Sequence, residues 1–258
     1  MIENYVRTYK SKNKYIYEPT LECKRRADTL LKWSEDLKLP SYFFHYRNGG
    51  HVEALHQHLQ NRHFFRIDLK NFFYSIARNR VARVLRESGF RNARQYAEWS
   101  SVKNPYLGGP NYVLPIGFKQ SPLLASLVLW RSPVASAIED ALHRDVLVSV
   151  YFDDLIGSAN DEAELRITYD GILEACLQAN LTANEGKLIP PAQAIMAFNC
   201  HLSHGRAEVT DERIQEFINE NRGSIAEDSF LDYCIRVAGK NSRRTPPIDD
   251  GRTPMTAC

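Results

Sequence analysis

Short apolar runs with acidic residues at their ends are the clearest pattern in this chain. β-branched and other apolar residues at 146–150 and 155–156 flank the sequence Tyr-Phe-Asp-Asp at 151–154. Runs of this kind are typical of buried strands, so the pattern predicts a β-hairpin with Asp153 and Asp154 at its tip. Successive strand residues point to opposite faces, so the two acids converge only if the backbone turns there. An ordinary acidic turn is the alternative interpretation of this segment alone.

A second predicted strand, at 63–68, also ends in a carboxylate. Asp68 follows Phe64, Phe65 and Ile67 and precedes an aromatic cluster at 72–74. Three aspartates on two strands are what a two-metal phosphoryl-transfer site needs, and Mg²⁺ takes oxygen ligands of this kind. Taken alone, Asp68 is equally consistent with a helix N-cap at a strand-to-helix junction.

A third motif is the sequence Leu-Pro-Ile-Gly-Phe-Lys-Gln-Ser-Pro at 114–122, which precedes a long apolar stretch at 123–130. Ser121 is predicted to cap a helix there, with Pro122 in its first turn. Gly117 permits close approach of the backbone to a partner. A loop with free amides before a helix start suits a nucleotide or a template strand. An ordinary loop before a core helix is the alternative.

Beyond these motifs, the patterns predict two N-terminal strands, several amphipathic helices and a polar tail. The helices follow from apolar residues at helical spacing, and the tail is expected to be disordered because Arg, Pro, Asp and Thr dominate it. The strands are predicted at 6–9 and 15–17 around a turn at 10–13, the helices at 161–181, 212–221 and 230–237 with another starting at 81, and the tail from 241.

Composition and charge are those of an ordinary globular protein. A chain of 258 residues can bury a sizeable core, and no apolar run is long enough to span a bilayer. The N-terminus lacks a signal-peptide pattern, and five scattered cysteines predict reduced thiols in the cytoplasm. A net charge of +2 leaves nucleic-acid contact to local basic clusters, such as those at 24–26, 78–86 and 240–244. Each cluster is also consistent with a solvated helix face.

Together and in this order, the three motifs resemble the reverse transcriptase family, in particular its bacterial branch of retron, group II intron and phage-defence enzymes. Residues 67–76 resemble the first palm motif, 114–122 the LPxGxxxSP motif, and 151–154 the YxDD box. The resemblance implies an α+β right-hand polymerase, with an antiparallel palm sheet backed by helices, small fingers and a reduced helical thumb. The implied boundaries are fingers at 1–60, a palm with inserted finger helices at 61–203 and a thumb at 204–240.

The resemblance also implies catalytic roles. Asp68, Asp153 and Asp154 would hold two Mg²⁺ ions, with Mn²⁺ as a substitute, and Leu69 would offer a backbone carbonyl. Lys187, in the sequence Asn-Glu-Gly-Lys, would be a general acid for the leaving pyrophosphate. A solvated turn lysine is the alternative interpretation of Lys187.

Contacts with nucleotide, template and primer are implied for further positions. Lys14 stands where the fingers signature R-x-I-x-x-P has arginine, and it lacks the forked geometry of a guanidinium. Phe73 would be an aromatic gate against a ribose 2′-OH, although the adjacent Phe72 is also a candidate. Residues 197–202 resemble a diverged primer-grip hairpin. The remaining implied contacts are Gly117 and Gln120 near the nucleotide and template, and Tyr151 near the primer end.

The function implied by the resemblance is RNA-directed DNA polymerisation, in which a primer 3′ hydroxyl attacks a dNTP. The implied partners are an RNA template and a DNA or RNA primer, with no membrane. Antiphage defence, an associated non-coding RNA and a partner protein or second copy are further expectations. Open alternatives are template-independent or protein-primed synthesis, a catalytically silent nucleic-acid-binding subunit, and a nucleotidyl cyclase. The intact acids argue against the silent subunit, and the LPxGxxxSP-like segment argues against the cyclase.

Overall fold

Helices and antiparallel strands alternate along the chain in the computed structural model, which describes residues 2–220 and 222–242. The strands are β1 (Tyr5–Ser11), β2 (Lys14–Pro19), β3 (His63–Asp68), β4 (Val102–Lys103), β5 (Tyr112–Val113), β6 (Leu147–Tyr151), β7 (Asp154–Ala159), β8 (Ile189–Ala192), β9 (Ala194–Ala197), β10 (Cys200–Ser203) and β11 (Arg206–Val209). The helices are α1 (Leu21–Ser34), α2 (Gly50–His58), α3 (Phe72–Ser75), α4 (Arg78–Glu87), α5 (Ala93–Trp99), α6 (Ser121–Trp130), α7 (Pro133–Leu142), α8 (Glu162–Gln178), α9 (Asp211–Asn219) and α10 (Ser224–Ala238), with 3-10 turns at Phe44–Tyr46 and Glu185–Lys187.

A four-stranded sheet in the order β6-β7-β3-β8 lies at the centre. Strands β6 and β7 form the predicted hairpin, and β7 pairs antiparallel with β3 in a register that sets Asp154 opposite Asp68. Strand β8 pairs antiparallel with the other edge of β3. Because β3 ends where β7 begins, the two predicted motif strands present their acidic residues at the same end of the sheet.

The two faces of this sheet are covered by different elements, because strand side chains alternate between faces. Phe65, Ile67 and Leu155 pack into a large apolar core with residues of α6, α7 and α8. Phe64 and Ile156 pack into a second core with residues of α2, the strands β9 to β11 and α10. The alternation places the acidic ends of β3 and β7 on the second face.

A separate three-stranded sheet, in the order β11-β10-β9, covers part of that second face. Its β9–β10 hairpin turns at Phe198 and Asn199, which have φ values of 54° and 58°. Two successive residues of positive φ form the tight type of hairpin turn that matches strand twist. The predicted grip-like hairpin at 197–202 is therefore present as a hairpin.

The start of the predicted tail is held against this sheet. Asn241 donates from Nδ2 to the Ala207 carbonyl (3.0 Å) and accepts from the Ala207 N–H (2.7 Å). Ser242 donates from its N–H to the Gly205 carbonyl (2.8 Å). The prediction of disorder from residue 241 is therefore wrong for Asn241 and Ser242. Residue 221 and the rest of the tail, with the basic positions at 243 and 244, lie outside the described residues.

The N-terminal hairpin packs against the loop that carries Gly117. The Tyr17 N–H donates to the Ile116 carbonyl (2.9 Å), which joins β2 to this loop. Gly117 has a φ of 107°, and a Cβ at this position would overlap the carbonyl of Tyr17. Glycine alone combines that conformation with so close an approach.

Most predicted elements are confirmed within a few residues, but two local predictions are wrong. The N-terminal turn is confined to Lys12 and Asn13, because both adopt positive φ (45° and 62°) and close a two-residue hairpin. The N-cap of α6 is Gln120 rather than Ser121. Ser121 instead donates its hydroxyl to the Pro115 carbonyl (2.7 Å), which ties the helix start to the preceding loop.

Among the described helices, no single one is long and apolar enough to cross a membrane. Helices α6 and α7 together have the length and apolar composition of a membrane span, but the chain bends by 68° between them. Most residues of α6 are buried in the core.

We expect Gly157→Ala to destabilise the protein, because a Cβ on β7 at this position would overlap the ring of Phe65 on β3. Overpacking a core typically costs about 1–3 kcal/mol. Gly171→Ala in α8 is the matched control, since no atom lies within 4 Å of the added Cβ and alanine favours helix by about 0.5–1 kcal/mol. Urea unfolding measures both free energies. An unchanged value for Gly157→Ala would contradict this packing.

Candidate active site

Three aspartates lie together at one end of the central sheet. Asp68 is the last residue of β3 and Asp154 the first of β7, and the two are directly paired across the strands. Directly opposed residues have Cβ atoms roughly 4.5–5.5 Å apart. Asp153 lies in the hairpin turn, after Phe152, whose φ is 56°. The backbone therefore turns at the acidic pair, as the sequence predicted, with Phe152 and Asp153 as the two turn residues.

Backbone hydrogen bonds fix the acidic turn against the end of β3. The Leu69 N–H donates to the Asp153 carbonyl (2.8 Å). On the other side, the Asn184 N–H donates to the Asp68 carbonyl (2.8 Å), and Asn184 Nδ2 donates to Asp68 Oδ1 (3.0 Å). The N-cap of the following helix is Asn71 rather than Asp68, and the Asp68 carboxylate is held by the segment that carries Asn184.

His45 supports the strained residue of the turn. A phenylalanine with positive φ is uncommon and needs compensating contacts. The Phe152 N–H donates to His45 Nδ1 (3.4 Å), while His45 Nε2 lies 2.8 Å from the Ser126 hydroxyl. Burial lowers the pKa of His45 to about 4, so the ring is neutral and its Nδ1 can accept. The sequence patterns did not single out His45.

Two cationic side chains pair with the carboxylates. Arg66 Nε and Nη2 lie 2.7 and 2.6 Å from Asp154 Oδ1, and Nη2 lies 3.8 Å from Asp68 Oδ2. Lys187 Nζ lies 3.1 Å from Asp68 Oδ2. Within the described part of the chain, Asp153 has no ion pair. Lys187 was predicted from the sequence, whereas Arg66 was not.

Burial and crowding shift the protonation of the acidic pair. Burial raises the pKa of Asp154 to about 6, and the charges of Asp153 and Asp68 add to this rise while Arg66 opposes it. Burial also raises the pKa of Asp153, and the charge of Asp68 adds to that shift. Mutual repulsion of this kind means that additional positive charge would be stabilising at this end of the sheet.

The donor set fits a hard divalent cation, although a three-carboxylate cage is not preassembled. Across residues 2–220 and 222–242, no three His, Cys, Asp or Glu side chains come close enough together to hold a metal ion. Arg66 and Lys187 lie against oxygens of Asp154 and Asp68, so these two carboxylates already have cationic partners. Mg²⁺ usually needs only one or two carboxylates plus substrate phosphates. Asp68 and Asp153 can supply that pair.

A buried polar network lies behind the acidic hairpin. His58 of α2 is fully buried, with Nδ1 2.6 Å from the Ser158 hydroxyl and Nε2 2.8 Å from the Ser149 hydroxyl. Asn61 Nδ2 donates to the same Ser158 hydroxyl (2.8 Å). Since Ser149 lies on β6 and Ser158 on β7, one imidazole connects both strands of the hairpin. Burial lowers the pKa of His58 to about 3, so the ring is neutral.

Tyr151 lies between the two hairpin tips. Its ring centroid is 5.3 Å from that of Phe198, at the β9–β10 turn, and 5.7 Å from that of His51. His51 Nε2 in turn lies 3.2 Å from the hydroxyl of Tyr233 in α10. The grip-like hairpin and the acidic hairpin are therefore joined by aromatic contacts, with Tyr151 at the junction.

Three of the predicted nucleotide contacts also lie around this end of the fold. Lys14 is exposed at the start of β2, and its positive charge opposes the rise in the pKa of Asp153. Gly117 lies on the loop bonded to β2, as described above. Phe72 is buried, whereas the adjacent Phe73 is only partly buried. Of these two rings, that of Phe73 is therefore the more exposed.

The side chain of Gln120, predicted to lie near the nucleotide and template, is buried within the protein. Gln120 is 1% exposed, and its Nε2 lies 3.7 Å from Cys23 Sγ and 3.4 Å from Ser100 Oγ. The amide therefore fills a buried space between α1 and the end of α5. Its position at the N-cap of α6 turns the side chain inward, which the motif alone does not reveal.

An antiparallel sheet backed by helices, with carboxylates at the ends of two paired strands, is a polymerase palm-like α+β arrangement. Residues 18–189 match the family model described as "Reverse transcriptase (RNA-dependent DNA polymerase)". This span covers more than half of the chain and contains all three motifs. The chain therefore belongs to the reverse transcriptase family.

Among solved structures, the chain is similar to the foamy viral protease-reverse transcriptase dRH in complex with ds DNA, at 16% sequence identity and a TM-score of 0.47. The similarity covers 84% of this chain and 32% of that chain, so the chain spans about a third of that protein's length. No curated protein sequence matches the chain.

We expect His58 to make the protein less stable in mild acid. The pKa of this histidine falls from 6.5 in the unfolded chain to about 3 in the fold, so stability present above pH 6.5 is lost as the pH falls toward 3. Between about pH 7 and pH 5 the loss amounts to roughly 2 kcal/mol. Urea unfolding at pH 7 and at pH 5 measures the free energy of unfolding of wild type and of His58→Gln. The variant should lose less stability between the two pH values, because it lacks the titrating imidazole. Equal losses in both proteins would refute the assignment.

Proposed function

We propose that this chain is an RNA-directed DNA polymerase that adds dNTPs to the 3′ end of a primer. The observation that carries the proposal is the cross-strand pair of Asp68 and Asp154 beside Asp153, inside a matched reverse transcriptase span. In the reaction the 3′ hydroxyl loses its proton and attacks the α-phosphate, and the bond to the bridging oxygen breaks as pyrophosphate leaves. Catalysis of this kind depends mainly on positioning and charge neutralisation.

Reverse transcriptase domains generally use divalent metal ions, typically Mg²⁺, and the oxygen donors here suit that ion or Mn²⁺. Asp68, Asp153 and Asp154 would hold two such ions, with the Leu69 carbonyl as a further ligand. When bound, the ions would lower the pKa of the primer hydroxyl and neutralise charge on the phosphates. The chain itself contributes the fixed geometry, since the turn and the end of β3 are held by the backbone bonds of Leu69 and Asn184.

The two lysines are proposed to act on the triphosphate. Lys187 has a half-exposed side chain and lies 3.1 Å from Asp68 Oδ2, so a small rotation brings its ammonium to a phosphate held beside Asp68. We assign it the proton delivered to the departing pyrophosphate. Lys14, exposed on β2 and close enough to affect Asp153, supplies positive charge to the phosphates.

Three further residues are proposed to position the substrates. Gly117 lets the loop approach β2 closely, and we assign this loop to the nucleotide and template because it belongs to the matched motif. Phe73 presents its partly buried ring to the sugar and excludes a 2′-OH. Tyr151, held between the two hairpin tips, contacts the primer end.

The wider setting is also proposed. The resemblance of 67–76, 114–122 and 151–154 to bacterial enzymes supports the bacterial branch and a role in antiphage defence. An RNA template, a DNA or RNA primer and an associated non-coding RNA, partner protein or second copy are the corresponding partners. Four of the cysteines are unpaired, which supports a cytoplasmic location.

Untemplated or protein-primed synthesis by the same palm is the alternative. The palm motifs are compatible with both modes of synthesis, and the buried side chain of Gln120 does not distinguish them. Sequencing of the product decides between the two, because templated synthesis copies the supplied RNA.

We expect Asp153→Asn combined with Asp154→Asn to abolish deoxynucleotide incorporation, because the carboxylates that would hold the metal ions are removed. Primer extension with an RNA template, dNTPs and Mg²⁺ measures the loss, and circular dichroism checks that the variant folds. Asp170→Asn, an exposed acid on α8, is the control and should extend primers normally. Persistent incorporation by the folded double variant would defeat the proposed mechanism.

We expect Phe73→Ala to relax sugar discrimination by about tenfold or more, because the ring that crowds a 2′-OH is removed. The ratio of kcat/KM for ribonucleotides and deoxynucleotides measures this change. Phe72→Ala is the matched control: its buried ring predicts a loss of about 3–5 kcal/mol in stability without a change in the ratio. An unaltered ratio in Phe73→Ala would remove the gate assignment.

A further inference from the structure

The guanidinium of Arg66 joins the acidic end of the sheet to strand β9. Its Nε and Nη2 lie 2.7 and 2.6 Å from Asp154 Oδ1, and its Nη1 donates to the carbonyl of Met196 (3.2 Å). Nη2 also lies 3.8 Å from Asp68 Oδ2. The side chain is only 17% exposed, so these ion pairs are shielded from bulk water.

The register of the sheet explains why Arg66 reaches Asp154. Arg66 and Asp68 are two residues apart on β3 and therefore share a face. Since Asp68 is opposite Asp154 and Arg66 is opposite Ile156, Arg66 and Asp154 are diagonal neighbours across the strands. Like charges directly opposed in a sheet are destabilising, and Arg66 offsets the charge of that pair without any metal.

We propose that Arg66 is a positioning residue that competes with divalent cations for Asp154 and so keeps the metal affinity of the nucleotide-free protein low. A cation that binds Asp154 must either displace the guanidinium or lie beside its positive charge. Asp153, which has no ion pair in the described part of the chain, then provides the first metal contact, since Lys187 lies 3.1 Å from Asp68 Oδ2. This inference rests on the proposed function for the assignment of the aspartates as metal ligands.

The competition has a consequence for the order of binding. A nucleotide-free site with weak metal affinity gains its ions together with the phosphates of the dNTP, which supply further oxygen ligands. The forked guanidinium suits this role because it binds a carboxylate and a carbonyl at the same time. Arg66 therefore keeps Asp154 beside strand β9 until a substrate arrives.

The test is a titration of the nucleotide-free protein with Mn²⁺, in which electron paramagnetic resonance measures the concentration of the free ion at each step. We expect Arg66→Gln to bind Mn²⁺ about tenfold more tightly than wild type, because a positive charge within 4 Å of two ligands is removed. Arg66→Lys keeps the positive charge and is the control for a general effect of substitution at this position. Its Mn²⁺ affinity should stay within about threefold of wild type. Arg62→Gln removes an exposed charge beside β3 and should leave the affinity unchanged.

A double-mutant cycle shows whether Arg66 acts through Asp154. In the Asp154→Asn background, Arg66→Gln should lose most of its effect on Mn²⁺ affinity, because the shared carboxylate is gone. An equal gain in both backgrounds overturns the inference. So does an Arg66→Gln protein whose affinity matches wild type, or the absence of Mn²⁺ binding in every variant.

Primer extension by wild type distinguishes a failure of this inference from a failure of the proposed function. Wild-type extension with no coupling between Arg66 and Asp154 rejects the inference and leaves the polymerase proposal intact. Coupling in the Mn²⁺ cycle without any extension rejects the polymerase proposal and leaves the competition for Asp154 standing.

Discussion

The direct opposition of Asp68 and Asp154 across two paired strands is the constraint on which the rest of the site depends. Two directly opposed carboxylates, one buried and one partly buried, repel each other, and nearby cations offset that repulsion. Arg66 and Lys187 supply that charge from the chain itself. The same repulsion makes this end of the sheet receptive to divalent ions and to the substrate that carries them.

The sequence predicted those parts of the fold that depend on residues close together along the chain, namely strands, the acidic turn and the start of α6. Apolar runs ending in Asp68 and flanking the Tyr-Phe-Asp-Asp turn predicted three strands, which are β3, β6 and β7, and the motif order implied that they meet. The need for a turn at the acidic pair followed from the alternation of strand side chains, and the turn is formed by Phe152 and Asp153. Pro122 in the first turn of α6 followed from its missing N–H.

The features that the sequence did not reveal depend on contacts between distant residues. Arg66 meets Asp154 from 88 positions away, and His45 meets Phe152 from 107. Neither contact has a local signature, because each follows from strand register and from helix packing. Gln120 is a further example, because its place in the motif does not reveal that α1 and the end of α5 bury its amide.

The His58 imidazole has a consequence for strand alignment. It bonds one serine on each strand of the β6–β7 hairpin from within a water-excluded interior. Sliding β6 by one residue would turn Ser149 to the opposite face and leave a ring nitrogen buried without a partner. His58 therefore favours the observed pairing of β6 with β7. A shifted pairing would be less stable and would also misplace the acidic turn, whether or not a substrate is bound.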